Sequence, residues 1–155
     1  MTKPIPTALV GGILIFRMAY AAAVCTQEVV LEEPAANQTY AGIANLRGWA
    51  VGPNPIDRVE MYIDAAHVFD VPYGATRLDV GAGRPDCPGS SASGFSMAFN
   101  YSNLVPGVHT FTARAVDHTG LSFEDSAQIS LIRFGDIKFV TAQDVFDFTK
   151  RAMPK

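Results

Sequence analysis

Charge is what this sequence has least of. Asp, Glu, Lys and Arg make up 17% of its 155 residues, against about a quarter in an ordinary soluble domain. The balance leans acidic, 15 Asp+Glu to 12 Lys+Arg, so the basic stripe of a nucleic-acid binder is missing. With 48% hydrophobic residues, such low charge excludes disorder, which needs the opposite composition. Cysteine is down to two, tryptophan to one and histidine to three. Catalytic signatures are missing too. There is no P-loop and no H-E-x-x-H, and Gly81-Ala82-Gly83 lacks the third glycine of a dinucleotide fingerprint. Gly89-Ser90-Ser91-Ala92-Ser93 carries Ser93 where a nucleophile elbow needs its second glycine. His67, His109 and His118 share no metal-ligand spacing and read as structural histidines. A triad of Ser91, His109 or His118, and Asp86 is a list that a domain of this size contains by chance. These absences predict a non-enzyme with no cofactor and no metal.

What is present begins with an address. A cation at Lys3, an apolar run over Ile5–Phe16 and small residues through Met18-Ala19-Tyr20-Ala21-Ala22-Ala23 follow the plan of a secretory signal peptide, residues 1–23. A membrane anchor would have to hold Arg17 near mid-bilayer, at about 2.5–3.5 kcal/mol. Cleavage removes Lys3 and Arg17, leaving ten cations against fifteen anions, a soluble acidic product with no membrane partner. The expected location is secreted, periplasmic or cell-surface. There, two thiols in a small domain are expected to pair, and Cys25–Cys87 would close a loop of 62 positions, worth about 4 kcal/mol. Two rivals stay open: a lipidated Cys25, although Val24 departs from that signal, and a free Cys25 on a frayed end.

Length fits one domain, placed at residues 24–134. Its dominant period is two. Val59, Met61 and Ile63 alternate with polar neighbours, as do Phe95, Met97 and Phe99, and then Phe111, Ala113 and Ala115. With Val29–Leu31, Ile43–Val51, His67–Tyr73 and Gln128–Phe134 they make about seven short strands between turn signals such as Gly52-Pro53-Asn54-Pro55 and Asp117-His118-Thr119-Gly120. That pattern predicts an all-β antiparallel sandwich whose alternating faces form two inner walls. Two stretches break it. One is a twenty-residue loop, Gly74–Ser93, long for a compact domain. The other is a C-terminal extension, residues 135–155, where Thr141 would cap a short helix over 141–153 with Val145, Phe148 and Ala152 on one face.

Several of these segments resemble bacterial immunoglobulin-like domains. The resemblance rests on Leu46-Arg47-Gly48-Trp49-Ala50, on Ile56–Asp64, on Tyr73-Gly74 with Arg77–Val80 and Ser93–Ser96, and above all on Leu104–Gly120. It covers roughly residues 28–134. It implies a β-sandwich of a secreted or surface protein, often beside catalytic or glycan-handling domains and mostly non-catalytic. The implied bacterial source makes the sequons at Asn37 and Asn100 chance matches. One departure stands out: the glycine expected after Asp64 is replaced by Ala65-Ala66, and alanine resists positive φ, so a longer or reshaped hairpin is expected.

The candidate site residues follow from this frame. Leu46, Gly48 and Ala50 should face the opposite sheet, which turns Arg47 and Trp49 outward. There the indole is either covered by the long loop or the tail, or left open as a platform for a sugar or a partner's side chain. Tyr62 should also point outward, but from the other sheet. In the long loop, Arg77 and Arg84 each precede an aspartate by two, so ion pairs to Asp79 and Asp86 are expected to pin it. The competing reading is a calcium site built from Asp79 and Asp86 with Asp117, Glu124 or Asp125. The function expected is a non-catalytic secreted or cell-envelope module for binding, adhesion or spacing, with a protein or glycan partner at the envelope. The alternatives are an accessory glycan-binding module and a small secreted hydrolase.

Overall fold

The computed structural model of the chain describes residues 24–133. The expected signal peptide and the expected helix over 141–153 lie outside the described residues.

Nine strands form two stacked sheets. They are β1 (Glu28–Glu33), β2 (Thr39–Tyr40), β3 (Ile43–Val51), β4 (Ile56–Ile63), β5 (Ala66–Val71), β6 (Tyr73–Ala75), β7 (Gly94–Asn100), β8 (Gly107–Asp117) and β9 (Ser122–Leu131). One sheet has the order β1-β3-β7-β6 and the other β2-β9-β8-β4-β5. Pairings are antiparallel except that of β2 with β9, where Thr39 lies beside Ser130. This is the expected immunoglobulin-like sandwich. The predicted run His67–Tyr73 is really two strands. Pro72 has no N–H for a ladder, and the chain there leaves one sheet as β5 and joins the other as β6.

The core is what the alternation predicted. Leu46, Val59, Met61, Phe111, Ala113 and Ala115 are fully buried between the sheets, with Phe95 and Ile129 beside them. Tyr101 closes one end, stacking on Tyr40 with ring centroids 4.9 Å apart and donating its hydroxyl to the Asn45 carbonyl at 2.9 Å. Gly48 faces Phe95 across the ladder. A Cβ there would sit 2.0 Å from the Val30 carbonyl oxygen and 2.4 Å from the Phe95 ring. Only a missing side chain lets that ring lie across β3.

The hairpin after Asp64 overturns the expectation of a longer turn. β4 and β5 are joined by two residues, Asp64 at φ 51° and Ala65 at φ 66°, both in the left-handed region. Alanine takes this conformation because tertiary bonds hold the turn. Asp64 accepts from the Thr110 N–H at 2.9 Å and from His109 Nδ1 at 2.6 Å, and its own N–H donates to the Thr110 carbonyl at 2.9 Å. The register then slips beyond the turn: Tyr62 pairs with His67 and Met61 with Phe69, leaving Val68 as the extra residue of a bulge.

The twenty-residue loop is not irregular throughout. Its first residues complete β6, Leu78–Gly83 form a short helix α1, and Ser90–Ala92 form a 3-10 turn. Neither piece could stand alone in water, so their order comes from what the loop touches.

Candidate functional site

Residues 76–93 run as a strap over the outer face of the four-stranded sheet. The period of two on β1 buries Val29 and Leu31 and turns Glu28 and Glu32 to the outer face. Those two carboxylates receive the strap. Arg77 donates to Glu32 through Nη2 at 2.8 Å and Nη1 at 3.2 Å, and Arg84 donates to Glu28 through Nε at 2.9 Å. Cys87 adds a covalent anchor, its disulfide to Cys25 just before β1, with Cα atoms 4.8 Å apart. The bond takes the sulfur that lipidation of Cys25 would require and leaves no free cysteine among the described residues. On its inner side the strap packs Val80 and Cys87 onto Val51, with Trp49 and Cys25 alongside, a second small core separate from the main one.

Trp49 and Arg47 both sit on the outer face of β3. The strap covers the indole in part, and Arg84 stands with its guanidinium carbon 6.0 Å from the ring centroid, at the edge of a cation–π contact. Arg47 reaches Glu33 at 3.5 Å and keeps half of its side chain in solvent.

Between strap and sheet lies a groove of two adjoining lobes, of about 360 and 270 Å³, sharing Glu32, Arg77 and Asp79 as a common wall. Arg47, Thr76 and Ser96 line the larger lobe, and Trp49, Val80 and Arg84 the smaller. Arg77 bridges the wall, holding Asp79 at 2.9 and 2.6 Å as well as Glu32. Its donated hydrogen bonds hold the Asp79 carboxyl down at about pKa 2, and Asp79 in turn, with Glu32, pushes the guanidinium further up. Every cation lining the groove has a carboxylate partner.

Other candidates fall elsewhere. Asp86 has no ion pair among the described residues, since Arg84 turns to Glu28 instead of the aspartate two positions on. Tyr62 stands on the opposite sheet, as expected. The Arg114 guanidinium lies 4.3 Å from its ring centroid, Arg114 Nη1 donates to its hydroxyl at 2.9 Å, and that hydroxyl donates to Glu60 at 3.0 Å. That hydrogen bond to Glu60 is the main reason the Tyr62 phenol is raised. The calcium carboxylates are scattered. Asp117 caps the turn at Thr119 and Leu121, Glu124 pairs with Arg114, and Asp125 accepts the Leu31 N–H. Among the described residues no three potential ligands cluster. His109 has both ring nitrogens occupied, by Asp64 at 2.6 Å and the Val105 carbonyl at 2.8 Å, so the triad drawn through it has no base. His67 faces Asp70 at 3.0 Å, and His118 lies 3.8 Å from Asp57. Sequence reasoning missed Glu28 and Glu32. Their signal was the same alternation that placed Val29 and Leu31 inside.

The bacterial Ig domain family matches residues 28–113. No curated protein matches the sequence. Among solved structures the chain is similar to the endo-beta-1,4-mannanase from Thermotoga petrophila, with TM-score 0.51 and 10% identity over 75% of this chain and 21% of that one. It is also similar to the fibronectin(III)-like modules of Clostridium thermocellum CbhA, with TM-score 0.45 and 18% identity over 68% of this chain and 98% of that one. A third likeness is to CopC from Methylosinus trichosporium OB3b, with TM-score 0.41 and 12% identity over 70% and 95%. The chain spans about a fifth of the mannanase, and the likeness at that identity is one of fold.

Proposed function

The chain belongs to the bacterial Ig domain family, and from that premise we propose that it is a non-catalytic module of a secreted or cell-envelope protein, working in binding, adhesion or spacing. The observation that carries this reading is the strap. A disulfide and two buttressing arginines hold residues 76–93 over the sheet and shape a fixed groove there. A disulfide in a small domain suits an oxidising compartment, in line with the signal peptide expected over residues 1–23. His109, which sequence reasoning raised for catalysis, is engaged in holding the β4–β5 turn instead. An accessory glycan-binding role is the second reading, favoured by the partly open Trp49 ring on the groove.

Export and retention test this. The protein produced in a bacterial host is expected in the periplasm or medium, without residues 1–23 and with Cys25 and Cys87 bonded by intact mass. Retention of the purified protein on envelope fractions marks binding or adhesion, and export without retention marks spacing. Cytoplasmic protein with two free thiols, or turnover of ester, peptide or glycoside substrates, overturns the reading.

A further inference from the structure

We propose that the groove under the strap binds a neutral, hydroxyl-rich glycan segment, one sugar ring lying on the Trp49 indole and its hydroxyls meeting the Arg77, Glu32 and Asp79 array. This rests on the chain being a binding module and names what such a module holds.

Charge is the first argument. Arg77 is matched by Glu32 and Asp79, Arg84 by Glu28 and Arg47 by Glu33. An ionic ligand would have to displace one of these partners and strand the other in a half-enclosed site. A hydroxyl displaces nothing. It donates and accepts at once, and each carboxylate already held by a guanidinium keeps lone pairs for it. Such charge-assisted bonds are stronger than neutral ones.

Shape is the second. The smaller lobe has the Trp49 indole in its wall, and the larger lobe has the Thr76 and Ser96 hydroxyls with Arg47. The lining is mainly polar beside that one ring, which suits a ligand carrying hydroxyls along its length. The C–H face of a pyranose suits the indole, and its equatorial hydroxyls suit the wall that both lobes share. Rigidity is the third. The strap is anchored at three points along the N-terminal edge, through Cys25, Glu28 and Glu32. A groove so preformed spends little affinity on ordering itself.

The oxidised full chain should be titrated with three probes of equal length, a neutral β-1,4-linked hexasaccharide, an acidic oligogalacturonate and an unrelated extended peptide. Calorimetry and the fluorescence of the lone tryptophan report binding. The expected result is a saturable response to the neutral hexasaccharide alone, with a shift in Trp49 emission. Asp79→Asn, on the exposed wall, should weaken it about tenfold or more while the protein stays folded, and should raise affinity for the acidic probe by leaving Arg77 with Glu32 as its one carboxylate. Trp49→Phe should weaken it while keeping a ring in the small core. No saturable response to the neutral probe, tighter binding of the acidic probe or peptide by the unaltered protein, or an Asp79→Asn variant with unchanged affinity overturns the proposal. Continued retention on envelope fractions would then leave the binding module standing without this ligand, and export without retention would leave only the spacing role.

Discussion

Replacing Ala65 by glycine should stabilise this domain. Ala65 sits at φ 66° in the two-residue turn between β4 and β5 and is exposed, so its methyl group packs on nothing that would be lost. Holding an L-residue in the left-handed region costs roughly 1–2 kcal/mol, and glycine avoids that cost. The greater freedom of glycine in the unfolded chain takes back about 0.4–1 kcal/mol. The difference is a gain of about 0.5–1 kcal/mol, a rise of roughly 2–5 °C in melting temperature for a domain of this size. Urea unfolding followed by Trp49 fluorescence should show a higher midpoint and an unchanged slope. Asp64→Gly supplies the contrast. It relieves the same backbone region at φ 51° but removes the carboxylate that accepts from Thr110 and His109. Losing those bonds should cost about 1–3 kcal/mol. The reasoning fails if Ala65→Gly is neutral or destabilising, or if Asp64→Gly stabilises equally.

Reducing the disulfide, or Cys25→Ser with Cys87→Ser, should lower stability by about 4 kcal/mol through the loop of 62 positions it closes; calorimetry checks this, and Trp49 emission should move to the red as the strap loosens. The His109–Asp64 pair should make stability depend on pH. Burial works against the charged imidazole, but the Val105 carbonyl and Asp64 outweigh it and raise its pKa, while the Thr110 N–H, followed by His109, lowers that of Asp64. The His109 contribution is therefore full below its ordinary 6.5 and fades as pH rises through the raised value, and that of Asp64 is present above 3.8 and fades as pH falls through the lowered one, so denaturant midpoints should show the pair's benefit greatest between about pH 4 and 6.5. Ser93→Ala should be neutral or stabilising by up to about 1 kcal/mol, since the buried Ser93 hydroxyl has no hydrogen-bond partner among the described residues; a loss above that in urea titration would contradict it. Gly48→Ala should cost about 3 kcal/mol or more, because a Cβ would press on Val30 and Phe95, and a near-native melting temperature would refute the close packing there.

Most of the sandwich was legible because its strands are half-buried. Val59, Met61 and Ile63, or Phe111, Ala113 and Ala115, declare an inner face by period alone. The outward turn of Arg47 and Trp49 follows from the same rule applied to β3. What escaped was whatever depends on partners distant in sequence. The Asp64–Ala65 turn reads as unfavourable locally and is held by β8, some 45 positions away. Arg77 and Arg84 invite pairing with aspartates two residues on, and Asp79 does receive Arg77. Each also reaches a glutamate on β1, 45 and 56 positions away, and Arg84 pairs with that glutamate in place of Asp86. Helix α1 carries two glycines in six residues, a composition that argues against any helix until Val80 is seen buried beneath it.

The position of the Cys25–Cys87 bond, just ahead of β1, also decides how the domain would bear a mechanical load. Tension entering before Cys25 and leaving after β9 passes directly from Cys25 to Cys87, so β1 to β6 and α1 hang on a closed covalent ring off the load path. Only β7, β8 and β9 can be drawn out. With the bond intact, roughly 200 Å of chain, 62 positions at about 3.4 Å each, stays out of the extension. Cutting the bond would return that length to the pulled chain, turning a short, stiff element into a long extensible one.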